Sequence, residues 1–392
     1  MKDQLLTQFN EVFKTNNKAR TFFAPGRVNL IGEHTDYNGG HVFPCALTVG
    51  TYAVASVRED RSIRMYSMNF PTIGVIEFSI DDALVLEKSH DWANYPKGVM
   101  HEFSERGLKW EHGFDVLYYG NIPNGAGLSS SASIELVTAV MIQGLFDTSL
   151  SMIELVKMSQ HAENNFIGVS CGIMDQFAIG MGKEEQAVLL NCQTLDYQYS
   201  PIKLNDASLV ISNTNKRRTL ADSKYNERRS ECERALANLQ TELEIESLGD
   251  LTPEAFEEHK HLIKNETDQK RAKHAVYEND RTLRAVDRLH AGDLESFGTL
   301  MAESHISLRD DYQVSGKELD TLVEAAWGQE GVIGSRMTGA GFGGCTVSIV
   351  ANDKIEEFID RVGKSYQNET KLTADFYVVN VGDGARELLN NQ

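Results

Sequence analysis

Residues 123–133 read Pro-Asn-Gly-Ala-Gly-Leu-Ser-Ser-Ser-Ala-Ser, a tight glycine turn that runs directly into serines. Apolar residues then recur at helical spacing, at Ile134, Val137, Met141 and Leu145, so a helix is predicted to begin within the serines. The start of a helix presents unpaired backbone N–H groups and a partial positive charge, which together bind phosphate. The segment therefore predicts a phosphate site built from backbone rather than from lysine side chains.

Two common phosphate motifs do not describe this segment. It lacks the Gly-Lys-Ser/Thr ending of a Walker A loop, and Ser130 stands where a dinucleotide-binding Gly-x-Gly-x-x-Gly has its third glycine. A plain strand–turn–helix junction with serine caps is the alternative, although three consecutive serines exceed what capping needs. Taken alone, the segment indicates binding of a phosphate, and most readily of a nucleotide.

A second concentration of functional side chains lies upstream, in residues 25–40, Pro-Gly-Arg-Val-Asn-Leu-Ile-Gly-Glu-His-Thr-Asp-Tyr-Asn-Gly-Gly. Arg27, Glu33, His34 and Asp36 stand here among four glycines, which predicts a polar loop rather than part of a core. Such a loop can surround a polyhydroxylated ligand with donors and acceptors. It can equally offer Glu33, His34 and Asp36 to a metal ion, and the residues alone leave both interpretations open.

Two carboxylates in the middle of the chain are further candidates. Ser151 and Glu154 form a predicted capping box that opens a helix, and Glu163 falls on the inward stripe of that helix. A buried carboxylate needs a cation or several hydrogen bonds, and Mg²⁺ takes one or two carboxylates together with phosphate oxygens. A salt bridge is the alternative for Glu163. Asp175 follows the glycine-rich residues 168–172 and is either a cleft residue or an ordinary first-turn acid.

The whole chain predicts an α+β protein with two domains. Its 392 residues exceed one comfortable hydrophobic core. Strand patterns dominate the first half and helix–strand alternation the last third, with a boundary near residue 200. Residues 194–201 are interpreted as a connection between two strands. A third glycine-rich segment, residues 338–345, requires close backbone approach, either to a ligand or between the two halves.

Composition excludes several classes of function. The 38 basic and 57 acidic residues give a net charge of −19, which argues against nucleic acid as a partner. No long apolar stretch or secretion signal is recognisable, so a cytoplasmic protein without a membrane partner is expected. The odd number of cysteines, without a Cys-x-x-Cys pair, favours reduced buried thiols over a zinc site or disulfides. These cysteines are Cys45, Cys171, Cys192, Cys232 and Cys345.

Together these segments resemble the GHMP small-molecule kinase family. Residues 123–133 are similar to its Pro-x-Gly-x-Gly-Leu-x-Ser-Ser-Ala loop, and residues 337–345 to its C-terminal glycine motif. Residues 26–40 resemble the members that phosphorylate galactose, because other members keep the phosphate loop without the Gly-Glu-His-Thr-Asp core. Further similarity runs through residues 92–99, 172–177, 218–232 and 304–315, so that the resemblance covers nearly the whole chain.

The resemblance implies both a fold and an activity. The fold would be α+β, with an N-terminal domain like ribosomal protein S5 domain 2 in residues 1–200 and a ferredoxin-like C-terminal domain in residues 201–392, whose last strand can pack on the first domain. The activity would be transfer of the ATP γ-phosphoryl group to the anomeric C1 hydroxyl of α-D-galactose, the first committed step of galactose use in the Leloir pathway. The cofactor would be Mg²⁺. The enzyme would be a monomer with small-molecule substrates and no obligate protein partner.

The resemblance also implies a role for each motif residue. Asp175 would be the catalytic base, with Arg27 beside it and beside the reacting oxygen, where its charge favours the ionised carboxylate and stabilises that oxygen. Mg²⁺ would be held by Ser131 and Glu163. The sugar would be contacted by Glu33, His34, Thr35, Asp36 and Tyr225. ATP would be bound by Ser67, Gly125, Ala126, Gly127, Leu128, Ser129, Ser130 and Ser131.

Three other functions stay open on the sequence. A related kinase would act on another sugar, such as N-acetylgalactosamine or arabinose. A non-catalytic galactose sensor would bind both ligands, but such relatives have a shortened phosphate loop, whereas residues 129–133 are complete and Asp175 is present. A metal-dependent hydrolase centred on Glu33, His34 and Asp36 would leave the phosphate loop unexplained.

Overall fold

The computed structural model describes residues 1–15, 17–123, 127–216 and 221–389. The helices in these ranges are α1 (Lys2–Phe13), α2 (Asn94–Glu105), α3 (Ser130–Leu145), α4 (Met152–His161), α5 (Met174–Met181), α6 (Ala221–Leu239), α7 (Pro253–His259), α8 (Glu266–His290), α9 (Leu294–Ser307), α10 (Lys317–Trp327) and α11 (Ile355–Thr370). The strands are β1 (Arg20–Asn29), β2 (His41–Val42), β3 (Pro44–Val57), β4 (Ser62–Ser67), β5 (Ile76–Ser79), β6 (Phe114–Gly120), β7 (Gln186–Asn191), β8 (Tyr197–Pro201), β9 (Ala207–Asn213), β10 (Val332–Thr338), β11 (Cys345–Ala351), β12 (Asp375–Val379) and β13 (Arg386–Glu387).

The N-terminal half is built on a six-stranded sheet in the order β13–β1–β3–β6–β4–β5. Neighbouring strands in it are antiparallel except β4 and β6, which run parallel. Side chains alternate between the two faces, as the period of a strand requires. Val54 and Leu117 pack with Phe9 of α1, whereas Ala53 and Val116 belong to the core that includes α2 to α5.

The C-terminal half is built on a four-stranded antiparallel sheet in the order β10–β11–β9–β12. The same alternation places helices on both faces of this sheet. Leu209 and Ile211 of β9 pack in the core that α8 and α9 share, whereas Val210 packs with Phe358 of α11. A smaller three-stranded sheet, β2–β7–β8, completes the strand pairing.

Apolar side chains of the two halves share one core. Val28 and Phe43 from the first sheet lie in the same cluster as Ile211, Phe297 and Val347 from the second half. The chain then returns to its beginning, because β13 pairs with β1 at the edge of the first sheet. A salt bridge of 2.6 Å between Arg20 and Glu387 accompanies this pairing. The interface between the halves is therefore a continuous hydrophobic contact.

The structure confirms the α+β architecture and corrects two details. Residues 194–201, predicted as a connection, contain β8. The one fully buried residue of this strand is Ser200, so no buried apolar side chain marks it in the sequence. Residues 25–40, predicted as a polar loop outside the core, begin as the end of β1 and are then buried between the halves, so that Glu33 and His34 are 1% and 4% exposed. The polar side chains there are buried because the second half supplies hydrogen-bond partners. None of the five cysteines forms a disulfide in the part of the chain that the structure describes, and Cys171 and Cys192 are partly exposed rather than buried.

Candidate active site

A cavity of about 480 Å³ lies between the two halves. The first half contributes the end of β1, the segment that follows it and the turn before α5. The second half contributes the start of α6 and the glycine segment after β10. The polar side chains that line the cavity include Arg27, Glu33, His34, Asp36, Glu163, Asp175 and Tyr225.

Asp175, in the first turn of α5, is held from two sides. Arg27 donates from Nε to Oδ1 at 2.8 Å, and its Nη2 lies 2.8 Å from the same oxygen. Ser129 donates from Oγ to Oδ2 at 2.5 Å. The Arg27 side chain is 5% exposed and that of Asp175 is 30% exposed, so the carboxylate faces the cavity while the guanidinium stays behind it. This arrangement suits a base whose ionised form is fixed in one orientation.

The phosphate loop is fastened to the strand that carries Arg27. Arg27 donates from Nη1 to the carbonyl of Gly127 at 2.8 Å, and its backbone N–H donates to Leu128 at 3.2 Å. A Cβ atom at Gly26 would lie 2.9 Å from the Leu128 carbonyl oxygen, so glycine is needed for this approach. Ser129 adopts a left-handed conformation with φ of 61° just before α3 begins. The start of α3 is thus directed at the edge of the cavity beside Arg27 and Asp175.

Glu163 lies where α4 changes into a π-helical turn, Ala162–Ile167. It is 7% exposed and forms a side-chain hydrogen bond with Ser131, while its Oε2 accepts from Nε2 of Gln176 at 2.6 Å. Burial and the negative charge of Asp175 raise the pKa of Glu163. One buried carboxylate beside a serine hydroxyl at a phosphate-binding helix start fits Mg²⁺, which takes its other ligands from phosphate and water.

A different metal site is not supported. Within the parts of the chain that the structure describes, no group of three or more His, Cys, Asp or Glu side chains could hold a metal ion. Glu33, His34 and Asp36 are therefore not arranged as a metal-ligand set. That finding counts against the hydrolase interpretation of residues 25–40.

A second cavity, of about 430 Å³, lies on the other side of the start of α3. Ser130 and Ser131 contribute to its wall, and Ser67 of β4 lines it together with Trp92 and Tyr95. The indole N–H of Trp92 is buried without a hydrogen-bond partner among the described residues. An aromatic wall suits a nucleoside, so the two cavities can hold the two substrates on either side of the serines.

His34 and its neighbours form a hydrogen-bonded aromatic cluster in the wall of the first cavity. Burial lowers the pKa of His34 to about 3, so its ring is neutral at neutral pH. Nε2 then donates to the Ala340 carbonyl at 3.2 Å, which leaves Nδ1 to accept from Tyr37 at 2.8 Å. Tyr37 in turn meets the hydroxyl of Tyr312 at 2.7 Å. Tyr225 packs against His34, with ring centroids 5.6 Å apart.

Asp36 and Thr35 have different environments although they are adjacent. Asp36 lines the cavity, and burial together with the negative charge of Asp175 raises the pKa of Asp36 to about 7. Thr35 is fully buried, and its Oγ1 lies 2.6 Å from the carbonyl oxygen of His41 and 2.9 Å from that of Gly32. The Thr35 hydroxyl therefore links backbone groups at the two ends of its own loop, Gly32 and His41.

The structure brings most of the predicted site residues together. Thr35, Gly127, Leu128 and Ser129 line neither cavity, although the last three contact Arg27 or Asp175. Gly125 and Ala126 lie outside the described residues. Sequence reasoning did not find Gln176, which bridges two carboxylates, or the second-half residues around Glu33. The Gln176 amide contacts carboxylates that lie elsewhere in the sequence. Such contacts have no local sequence pattern, so only the folded structure reveals them.

Family models match three parts of the chain. The galactokinase galactose-binding signature matches residues 7–57, the N-terminal domain of GHMP kinases matches residues 94–183, and the C-terminal GHMP kinase model matches residues 284–368. These matches include both glycine-rich regions and the segment around Arg27. Within the described ranges, no helix is both long and apolar enough to cross a membrane.

Individual relatives are similar over the full length. A galactokinase of Bacillus subtilis is 59% identical over 388 residues, which is 99% of each chain. A galactokinase of Fusobacterium nucleatum is 59% identical over 98% of this chain and 99% of its own. The crystal structure of Lactococcus lactis galactokinase complexed with galactose superposes with a TM-score of 0.96 at 48% identity, covering 98% of this chain and 99% of its own. A mevalonate kinase of Methanococcus jannaschii, at 17% identity, TM-score 0.66 and coverage of 94% and 100%, shares the fold.

Proposed function

The chain belongs to the galactokinases within the GHMP kinase family, and we propose that it transfers the γ-phosphoryl group of ATP to the C1 hydroxyl of α-D-galactose, the first committed step of galactose use. The observation that carries the proposal is the position of Asp175. This carboxylate faces the polar cavity while Arg27 and Ser129 connect it to the phosphate loop. A single group can therefore meet the sugar hydroxyl and the phosphate at once.

We assign the sugar to the cavity between the halves. Asp36 and Tyr225 supply a carboxyl group and an aromatic face, and the His34 ring, whose nitrogens are engaged by Ala340 and Tyr37, forms part of the wall that meets a polyhydroxylated ring. Glu33 offers its second carboxylate oxygen, because Oε1 is already engaged by Thr338 and Gly339. Thr35 acts through the shape of the loop rather than by touching the sugar.

We assign ATP to the second cavity and to the start of α3. The nucleoside occupies the pocket of Ser67 and Trp92, and the triphosphate lies along residues 127–131 toward Asp175. Ser131 and Glu163 hold Mg²⁺, which when bound supplies positive charge against the phosphate oxygens. Positioning and charge stabilisation are the main requirements of phosphoryl transfer. Arg27 on β1, Glu163 in the turn after α4 and Asp175 on α5 meet both requirements.

Asp175 accepts the hydrogen bond of the C1 hydroxyl and takes up its proton as the oxygen attacks the γ-phosphorus of ATP, while the bond from that phosphorus to the β,γ-bridging oxygen breaks and ADP leaves. The C1 hydroxyl is more acidic than the other sugar hydroxyls because the ring oxygen withdraws charge, so a carboxylate suffices. Arg27 stabilises negative charge on the attacking oxygen and keeps Asp175 in place. Ser129, through its hydrogen bond of 2.5 Å, fixes the second carboxylate oxygen.

The decisive experiment is an ADP-release assay that requires both ATP and sugar, with the product identified by phosphorus NMR as the sugar 1-phosphate. Galactose should support turnover far better than N-acetylgalactosamine or arabinose. Turnover with another sugar alone would identify a different kinase, and binding of galactose and ATP without ADP release would identify a sensor. ADP release without sugar would point to a nucleotide hydrolase.

We further propose a monomeric cytoplasmic enzyme that requires Mg²⁺. Five cysteines that form no disulfide in the described ranges are compatible with a reducing compartment. Light scattering of the purified chain tests the monomer, and fractionation of cells that express it tests the location. Replacing Glu163 with Gln should raise the Mg²⁺ concentration needed for half-maximal activity, and an unchanged requirement would remove Glu163 from the metal site.

A further inference from the structure

The sugar loop, which we define as residues 30–40, is held by the C-terminal half at nearly every polar atom of Glu33. Its Oε1 accepts from the Gly339 N–H at 2.8 Å and from the Thr338 hydroxyl at 3.0 Å. Its backbone carbonyl lies 3.1 Å from Nε2 of His274, and its N–H lies 3.3 Å from Oε1 of Glu278. The residue that begins the Glu-His-Thr-Asp sequence is therefore oriented by the other half of the protein.

The contacts to the backbone of Glu33 come from one stripe of α8. His274, Glu278 and Thr282 are spaced four residues apart, so they share one face of the helix. His274 and Glu278 bond to the backbone at Glu33, and Thr282 lies so close to Gly32 that a Cβ atom there would be 3.0 Å from its Oγ1. This face is buried although it is polar, which indicates a dedicated partner surface.

Glu278 is the centre of that stripe. It is 0% exposed, and its Oε1 accepts from Gly32 N–H at 3.0 Å, from Glu33 N–H at 3.3 Å and from Ser304 Oγ at 2.6 Å. Its Oε2 accepts from Nε of Arg281 at 2.9 Å. Burial alone would raise the pKa of Glu278, but the nearby positive charges of Arg281 and Arg336 outweigh it and lower the pKa to about 2. A full negative charge thus faces two backbone N–H groups.

The loop needs such an anchor because its backbone is unfavourable at His34, the residue after Glu33. Gly32 has a φ of +95° and His34 a φ of 62°, a left-handed conformation that a residue with a side chain adopts only when its surroundings impose it. Two N–H groups that point at one carboxylate provide that constraint. His34 and Asp36 follow directly, so the orientation of both cavity-lining side chains depends on it.

We propose that Glu278 is a positioning residue for the sugar site: its carboxylate, from the C-terminal half, fixes the Gly32 and Glu33 peptides and thereby sets where His34 and Asp36 meet galactose. This inference rests on the proposed function, because it assigns galactose to that cavity. Glu278 touches neither substrate, and it acts through the loop. Galactose recognition is therefore coupled to the contact between the two halves.

The test compares Glu278→Ala, Glu278→Gln and a matched control, Asp268→Ala, in the full chain. Asp268 is another buried carboxylate of α8, but its partner is Arg234 and it does not contact the sugar loop. Galactose affinity without nucleotide is measured by calorimetry, and the KM values for galactose and ATP are measured separately. Melting temperatures of all variants report the purely structural cost.

E278A should raise the Kd and KM for galactose at least about 10-fold, as expected when a charged acceptor of two loop hydrogen bonds is lost, with the KM for ATP within about two-fold. E278Q keeps an acceptor oxygen and the volume, so a smaller increase of about three-fold is expected. D268A should lower the melting temperature without changing the Kd for galactose. Faster hydrogen exchange of the Gly32 and Glu33 amides in E278A and E278Q, but not in D268A, would give independent support.

An unchanged galactose Kd in folded E278A, or an equal increase in D268A, would overturn the inference. If E278A does not fold, E278Q decides: a galactose Kd and amide exchange equal to those of the wild type would overturn it. Failure of the wild-type chain to bind galactose would overturn the proposed function and this inference with it. Normal wild-type activity with unaffected variants would overturn the inference alone.

Discussion

At the scale of single residues, Asp175 is the position where a minimal change gives the clearest result. Asp175→Asn keeps the shape of the side chain and one oxygen that can accept from Arg27, but its amide nitrogen cannot accept from Ser129 and it cannot take a proton. Galactose affinity should stay close to that of the wild type, while kcat falls by about 100-fold or more, the usual size of a lost general base. Titration calorimetry and single-turnover rates measure the two quantities separately. A variant with near-normal kcat would show that Asp175 only lines the cavity.

Ser129→Ala provides a graded comparison for the same site. It removes the hydrogen bond of 2.5 Å to Asp175 but leaves the base and Arg27 in place. Its kcat should therefore fall less, by about 10-fold, as expected for one hydrogen bond to a charged group. A larger loss than in D175N would mean that Ser129 itself has the more important role.

Asp36 should give the free protein a characteristic dependence on pH. Burial and the charge of Asp175 raise the pKa of Asp36 from 3.8 to about 7. Because the folded state binds this proton more tightly than the unfolded state, the contribution to stability is complete below about pH 4 and is lost as the pH rises through about 7. Asp36→Asn removes the titration. The melting temperature of D36N minus that of the wild type should therefore increase as the pH rises from about 4 to about 7.

The control for this titration is Asp353→Asn, which removes an exposed aspartate far along the chain. Its melting temperature should differ from that of the wild type by a nearly constant amount at each pH. A constant difference for D36N as well would contradict the assignment of a raised pKa to Asp36.

At the scale of elements, the capping box of α4 could be predicted because it is local. Ser151 accepts from the Glu154 N–H at 3.3 Å, and the Glu154 carboxylate accepts from the Ser151 N–H at 2.7 Å, as the sequence spacing indicated. The segment after it could not be predicted in detail. The π-helical turn at Ala162–Ile167 turns Glu163 toward Ser131, and its sequence does not distinguish it from a continuing α-helix.

Ser151→Ala should cost stability without affecting catalysis. The loss of the cap should lower the free energy of unfolding by about 0.5–2 kcal/mol, measured by urea denaturation. Ser151→Thr keeps the acceptor oxygen and serves as the control, with stability close to that of the wild type. The KM for galactose should be unchanged in both variants. A changed KM would mean that the start of α4 is coupled to the position of Glu163.

At the scale of the whole molecule, the limit of sequence reasoning lies at the contact between the halves. The resemblance of their motifs to those of the family predicted that Arg27 lies beside Asp175. In the structure, Nη2 of Arg27 lies 2.8 Å from Oδ1 of Asp175. Glu278, by contrast, meets Gly32 from a helix more than two hundred positions later, and α8 carries its charges as any exposed helix does. Because the partner surface is formed only when both halves fold, the burial of that charge has no local signal.

The shared core predicts that both halves unfold together and that galactose stabilises them together. Val28 and Phe43 pack with Ile211 and Phe297, so neither half keeps a complete core alone. Calorimetry should therefore show one transition, and galactose at a hundred times its Kd should stabilise the folded state by about 2.7 kcal/mol through mass action. Glucose, which differs only at C4, should shift the transition much less at equal concentration. Two transitions, of which galactose moves only one, would contradict the coupling, because the sugar would then be held by one half and the other half would fold independently of it.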